Sequence, residues 1–318
     1  MNSLPSVFAS CDWGSSRFRL RLVRSDSLQV LGEKETDMGV KQTHDNWVQS
    51  GRPDRARFFH DYLCGQLSDI PAEDGRERIP AVVSGMASSS IGMQELDYQR
   101  LPLNVLGDNL LSRALFSDED VPVILVSGVR SESNIMRGEE TQAIGLAAAL
   151  DIQNPGVLLL PGTHSKHLEF DKGAYLDFRT FMTGELFAVL CSHSLLRESV
   201  RECPLDGHEA AFREGVFRGA RGQFSGELFS IRARDILGQS NPEDNFHFLS
   251  GLLLGHELAC LAKLDSPVYL AAPPRLCAPY RIALELLLPR DRVHFLEADV
   301  LDNALLKAHR TVLESRLG

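Results

Sequence analysis

The segment from Val7 to Leu22 constrains the fold of this chain more than any other. The apolar run Val7 to Cys11 reads as a buried strand that delivers one carboxylate, Asp12, to a tight turn of Gly14, Ser15 and Ser16. A strictly alternating strand follows, with Phe18, Leu20 and Leu22 on one face and Arg17, Arg19 and Arg21 on the other. Backbone N–H groups and hydroxyls of such a turn suit a phosphate, while the carboxylate at its mouth suits the accompanying Mg²⁺, usually held through water. The same residues also suit an ordinary hairpin with a capping Asp, and the turn alone does not separate the two readings.

The rest of the chain alternates strands with helical stretches, which predicts an α/β architecture. After the hairpin, Gly32 to Asp45 is polar and reads as loop, and residues 54–68 carry apolar positions at helical spacing. Two apolar strands each run into a Ser-Gly: Ile79 to Met86, followed by the small-residue loop Ala87 to Gly92, and Asp120 to Gly128. The second half opens with a helix around Glu140 to Leu150, then a strand, Gly156 to Pro161, feeding the small-polar turn Gly162-Thr163-His164-Ser165-Lys166. Strand, Gly-Ser/Thr turn, strand therefore occurs twice, once in each half. Helices dominate afterwards, with Thr183 as an N-cap, a helix over Asn245 to Leu264, and a late strand, Val268 to Ala272, running into Pro273-Pro274-Arg275. A helix over Tyr280 to Leu288, a strand over Val293 to Leu296 and a helix from Asp302 end the pattern.

A length of 318 residues predicts two domains sharing a cleft rather than one. We expect a first domain over residues 1–125, with the C-terminal helix docking back on it, and a second over 126–318. The net charge of −10 disfavours a nucleic-acid partner, because phosphate backbones attract basic surfaces. It does not exclude ATP, since local dipoles and a few cations are enough for a small anion. The six cysteines are scattered with no CxxC pair and read as reduced thiols. With no basic-then-apolar leader and no long apolar run, the sequence predicts no signal peptide, no membrane partner and a cytoplasmic location.

Two clusters carry possible chemistry. In Arg137-Gly138-Glu139-Glu140-Thr141-Gln142, paired carboxylates open a helix. Acidic residues favour helix N-termini through the dipole alone, but one of these also suits a general base, with Arg137 as a clamp for an anionic substrate. His164 and His167, and the string Gly255-His256-Glu257-Leu258-Ala259-Cys260, have only a superficial metal-site look. A second histidine and a third ligand are missing, so no zinc is expected.

Together with the Asp12-Trp13-Gly14-Ser15-Ser16 hairpin, four strings complete a pattern: Asn134 to Gln142, Leu160 to Lys166, Asp177 to Leu186 and Phe248 to Leu252. In order from about residue 8 to 258, the chain resembles the 2-dehydro-3-deoxygalactonokinases, sugar-acid kinases of the actin/hexokinase/Hsp70 ATPase superfamily. The resemblance implies two ribonuclease-H-like domains around a central cleft, with ATP as co-substrate. Asp12 would organise Mg²⁺, through water in the relatives' manner, beside Gly14, Ser15 and Ser16 of the first phosphate loop. Gly162, Thr163 and His164 would form the second loop, with Lys166 nearby. By analogy with related carbohydrate kinases, Glu139 is the general base and Glu140 the second candidate. Ser84, Gly85, Met86 and Ser88, with Arg137, would receive the sugar acid's carboxylate and keto group.

The expected reaction is phosphorylation of the 6-hydroxyl of 2-dehydro-3-deoxy-D-galactonate, in galactonate catabolism, by a chain whose other partner is a second copy of itself in a homodimer. One departure stands out. Superfamily members place a Gly-rich turn at the adenosine, where this chain has Ala271-Ala272-Pro273-Pro274. That leaves adenine to hydrophobic contacts and Arg275. It also keeps open a kinase of another small sugar acid or polyol, or a non-catalytic sugar-acid-binding homologue with a degraded adenosine site.

Overall fold

The computed structural model describes residues 4–71, 78–119 and 121–317; Asp120, which opens one predicted strand, lies outside them. The chain divides into two compact units. One comprises Met1–Gln153, Asp171–Asp177 and Asp299–Gly318, the other Asn154–Phe170 and Phe178–Ala298.

In the first unit, β1 (Val7–Trp13), β2 (Phe18–Arg24) and β3 (Val30–Thr36) form an antiparallel meander. α1 (Val40–Ser50) and α2 (Arg55–Ser68) follow. β4 (Ala81–Gly85) then lies parallel to β1 on its other side. Two-residue strands β5 (Gln99–Arg100) and β6 (Leu103–Asn104) precede β7 (Ser112–Leu115) and β8 (Val123–Val126), and the main sheet runs β3-β2-β1-β4-β8-β7. β9 (Val129–Arg130) and β10 (Ile135–Met136) join β5 in a small sheet, ordered β10-β9-β5, and lead into α3 (Glu139–Leu146).

Alternation on β2 buries Phe18, Leu20 and Leu22 beside Trp13, Phe59 and Leu63. The Trp13 ring lies 4.8 Å from Phe18 and 5.1 Å from Phe59, and its indole N–H donates to Met38 O at 3.0 Å. Gly32 to Asp45 is not loop: it supplies most of β3 and the start of α1. This edge strand shows little burial, and cross-strand ion pairs of Arg17 and Arg19 with Glu35, and of Arg21 with Glu33, replace an apolar face. Residues 126–153 pack with the first unit rather than the second, because β9 and β10 complete its small sheet and Gly145 of α3 sits against Ala304 of the C-terminal helix.

The second unit repeats the plan. β11 (Gly156–Leu160) and β12 (Ser165–Asp171) form a hairpin, followed by β13 (Ala174–Phe181). Four helices come next: α4 (Thr183–His193), α5 (Glu209–Ala220), α6 (Phe224–Ile236) and α7 (Pro242–Leu258). β14 (Val268–Leu270), α8 (Pro274–Leu287) and β15 (Val293–Phe295) complete it, before α9 (Ala298–Leu317). β14 lies parallel to β11 and β15 parallel to β14, so the order β13-β12-β11-β14-β15 mirrors β3-β2-β1-β4-β8. This ribonuclease-H-like arrangement, an antiparallel meander extended by parallel strands, is present once in each unit.

Several ends move from their predicted places. Met182 rather than Thr183 occupies the N-cap of α4, with no side-chain cap bond. α7 starts earlier because Asn241 caps it, accepting from Asp244 N, with Pro242 in the first turn. α8 begins at Pro274, six residues before the predicted Tyr280, for the same reason: Pro fits a first helical turn. All six cysteines are free thiols, and among the described residues no helix is long and apolar enough to cross a membrane.

Candidate active site

β1 and β4 end side by side, with Asp12 opposite Ser84 and Trp13 opposite Gly85. Asp12 therefore sits within the strand, not on the turn, because Trp13 continues the ladder to Phe18 as its ring enters the core. The turn itself is closed by Gly14 N donating to Arg17 O at 2.9 Å, and Ser15 and Ser16 are exposed. The first turn of α1 clamps it from behind. Val40 N donates to Gly14 O, Lys41 N to Ser15 O, and a Cβ at Gly39 would stand 2.4 Å from Ser15 O. Gly39 is thus a residue of this loop that motif reading missed; its signal was a lone Gly before a helix.

Two glycines bring the base candidates to the same place. Gly85 has φ +81°, and a Cβ there would stand 2.9 Å from Trp13 O and 3.3 Å from Asp12 Oδ1. Gly138 has φ +110°, and its Cβ would lie 3.5 Å from Gly85 Cα. Immediately after it, Glu139 and Glu140 open α3 and part company. Glu140 is fully buried, and both its carboxylate oxygens accept from Gly138 N at 2.8 Å while Thr141 Oγ1 donates to Oε1 at 3.1 Å. Glu139 is half-buried and accepts from Arg137 N at 3.1 Å. Burial pushes the Asp12 carboxyl above the usual carboxylate range; Arg19 and Arg21 pull it back down, and the charge of Glu139 adds to the rise.

The Arg137 guanidinium reaches Ser88, donating to its carbonyl at 2.6 Å and to its hydroxyl, and lies 4.2 Å above the Tyr98 ring. Its Nε is buried with no hydrogen-bond partner among the described residues, and so is the hydroxyl of the neighbouring Ser89. Met86, half-buried, opens the short 3₁₀ turn Met86–Ser88 that carries this loop. The hydroxyl of Ser84 is already engaged. His309 of α9, fully buried, bridges Ser10 Oγ at 2.8 Å and Ser84 Oγ at 3.0 Å, tying the C-terminal helix to both β1 and β4. The sequence pattern carried no sign of this bridge, which joins residues at opposite ends of the chain.

Burial holds the His309 imidazole neutral, with its pKa down at about 3. Burial first and the charge of Glu139 second push Glu140 up to about 8. The signs oppose. Between about 3 and the ordinary value of 6.5, the unfolded chain protonates His309 and the folded chain does not, so stability falls as pH falls. Between the ordinary 4.5 and about 8, the folded chain keeps the Glu140 proton that the unfolded chain releases, so stability falls as pH rises. Each window is worth roughly a kcal/mol per pH unit. Glu140→Gln is therefore expected to gain melting temperature on the parent progressively from pH 5 to pH 8; parallel Tm-against-pH curves for the two proteins would contradict this account of Glu140.

In the second unit, Gly162, Thr163 and His164 join β11 to β12, with Thr163 and His164 exposed and open space where a Gly162 Cβ would stand. The start of α4 packs on this loop. Glu185 N donates to Thr163 O at 3.1 Å, Glu185 Oε2 meets His164 Nε2 at 2.5 Å, and a Cβ on Gly184 would stand 2.7 Å from Gly162 O. Lys166 is buried and donates to His164 O at 3.0 Å. Beneath the loop, Tyr280 OH meets Ser165 Oγ at 2.7 Å and both Glu257 oxygens at 3.0 Å, and His167 Nε2 meets Glu257 Oε1 at 3.0 Å. The acidic residue of the His256-Glu257 string thus braces the strand after the loop, and His256 stacks on Phe224. Ala271 and Ala272 are buried, while Arg275 is exposed in the first turn of α8.

The family model described as 2-keto-3-deoxy-galactonokinase matches residues 12–306. The chain is 30% identical over 291 residues to the 2-dehydro-3-deoxygalactonokinase of Escherichia coli K12, covering 87% of this chain and 89% of that protein. It is 32% identical over 288 residues to a Rhizobium meliloti relative of that family, with the same two coverages. The crystal structure of a Sinorhizobium meliloti protein of this family superposes with a TM-score of 0.80 at 30% identity, covering 96% of this chain and 99% of that one. With its two ribonuclease-H-like units and a match running nearly end to end, the chain belongs to the 2-keto-3-deoxy-galactonokinase family and is a carbohydrate kinase.

Proposed function

We propose that this chain transfers the γ-phosphate of ATP to the 6-hydroxyl of 2-dehydro-3-deoxy-D-galactonate, as a step of galactonate catabolism. Family membership supports the reaction and the substrate class. The observation that carries the substrate end is the pair of buried, unpartnered donors beside the Ser84–Ser89 loop, Arg137 Nε and Ser89 Oγ. A buried donor left unpaired costs about 1–3 kcal/mol, and the carboxylate and keto oxygens of a 2-keto acid supply the acceptors it lacks.

Glu139 is the proposed base. It orients the 6-hydroxyl and accepts its proton while the oxygen attacks the γ-phosphorus in line; the bond from phosphorus to the β-bridging oxygen breaks, and ADP leaves. Glu140 holds its proton at neutral pH and is satisfied by Gly138 and Thr141, so its role is to shape the start of α3. Backbone N–H groups and hydroxyls of Gly14, Ser15 and Ser16, together with Gly162, Thr163, His164 and Lys166, are the proposed triphosphate ligands, and Arg275 the proposed contact at the adenosine end.

The residues present fit a divalent cation beside Asp12. Asp12 is half-buried, and its carboxyl is desolvated and bears the repulsion of Glu139, which a cation relieves. When bound there, Mg²⁺ neutralises charge on the phosphates.

Turnover is read as ADP release with each of a panel of sugar acids. In that assay Arg137→Ala is expected to raise KM for the sugar acid by about 10–100-fold, the worth of a charge-assisted bond, and KM for ATP by no more than about twofold. Equal effects on both substrates would remove Arg137 from the sugar-acid site, and an absence of ADP release with every sugar acid would overturn the function.

A further inference from the structure

The small sheet of the first unit carries a second feature that the reaction does not use. β5 and β9 are parallel with Arg100 in register with Arg130, so two guanidiniums leave the same face from neighbouring strands. Like charges so placed repel, and the chain handles a comparable stripe differently elsewhere: Arg19 and Arg21 on β2, with Arg17 just before it, are answered by Glu33 and Glu35 on β3. Here the strand on the other side of Arg130 offers Ile135, itself exposed. Among the described residues neither guanidinium has an ion pair or a hydrogen bond. Both line a cavity of about 700 Å³, within the range of small-molecule sites, whose wall also carries Ser131, Ser133, Glu132 and Asp177.

We infer that this cavity is an anion site separate from the catalytic one, taking a polyhydroxylated organic anion whose carboxylate or phosphate lies between Arg100 and Arg130. Adjacent guanidinium forks match the paired oxygens of either group. The serine hydroxyls and the two carboxylates supply the donors and acceptors that sugar hydroxyls require. The site opens at the end of the β9–β10 hairpin, around residues 131–133, whereas Arg137 follows the opposite end of β10. A ligand of this class includes the sugar acid and its phosphate ester, which gives the chain a means of sensing either.

The test uses the full chain and the double variant Arg100→Gln/Arg130→Gln, with calorimetric titration of inorganic phosphate, 6-phosphogluconate and 2-dehydro-3-deoxygalactonate. The proposal expects at least a tenfold loss of 6-phosphogluconate affinity in the double variant, with KM for the sugar acid in the kinase assay changed less than about twofold. Loss with inorganic phosphate as well identifies the phosphate as the bound group, and loss with the sugar acid but not with inorganic phosphate identifies the carboxylate. The unliganded variant is expected to melt no lower than the parent, since a like-charge pair has been removed; a lower Tm would make the pair structural and overturn the proposal. Unchanged affinity for all three anions would overturn it, as would a tenfold rise in sugar-acid KM, which would merge the cavity with the substrate site. Binding is read without turnover, so failure of the proposed kinase reaction leaves this result interpretable.

Discussion

Glu139→Gln is expected to lower kcat by about 10²–10⁴-fold, the range for loss of a positioned general base, while both substrates still bind. The substitution is nearly isosteric, and the amide oxygen can still accept from Arg137 N, which meets Glu139 at 3.1 Å. The fold and the start of α3 therefore have no reason to change, and the loss is confined to proton acceptance. Glu140→Gln is the internal comparison. That carboxyl is fully buried and its oxygens are taken by Gly138 N and Thr141 Oγ1, so the variant is expected to keep kcat within about threefold. Steady-state kinetics at saturating ATP and sugar acid read both. A collapse of kcat in Glu140→Gln with a normal Glu139→Gln would exchange the two roles.

The second large effect is at Asp12. Asp12→Asn is expected to lower kcat by at least about 10²-fold, since the charge proposed to hold the cation is gone, and to leave the unliganded chain as stable as the parent or more so. The reasoning starts from the electrostatics: burial and Glu139 both disfavour the charged carboxylate, and the partial compensation by Arg19 and Arg21 does not cancel them. A neutral side chain of the same shape removes that cost. A residue that stabilises when neutralised but is required for turnover is held for its chemistry rather than for the fold. Thermal unfolding without ligands, paired with the kinetic assay, checks both halves. A marked fall in Tm would make Asp12 a structural residue.

The parts of this molecule legible in the sequence are those set by local rules. Alternation placed Phe18, Leu20 and Leu22 in the core, and the small residues after Trp13 and after Pro161 fell at the connections from β1 to β2 and from β11 to β12. Strand β3 was hidden because it is an edge strand held by ion pairs, so its residues lack an apolar period. The start of α8 was hidden because Pro273 and Pro274 read as an interruption, although Pro is at home in a first helical turn. The Arg-Gly-Glu-Glu string was visible, but its division into an inward Glu140 and a half-exposed Glu139 depends on Gly138 adopting φ +110° against Gly85. No local pattern encodes that approach across the sheet. The His309 bridge to Ser10 and Ser84 is longer-range still, as is the closeness of Gly39 to the turn of Ser15 and Ser16. Contacts of this kind arise from tertiary packing between segments far apart in the chain, which no local residue pattern encodes.

The proposed transfer is tested most directly by the ³¹P NMR spectrum of the product formed from ATP and 2-dehydro-3-deoxygalactonate. Phosphorylation of the primary 6-hydroxyl predicts a new monoester signal split into a triplet by the two methylene protons, growing in step with ADP and absent with Glu139→Gln over the same time. A doublet would place the phosphate on a secondary hydroxyl, and ADP with free phosphate but no ester would contradict a sugar-acid kinase altogether.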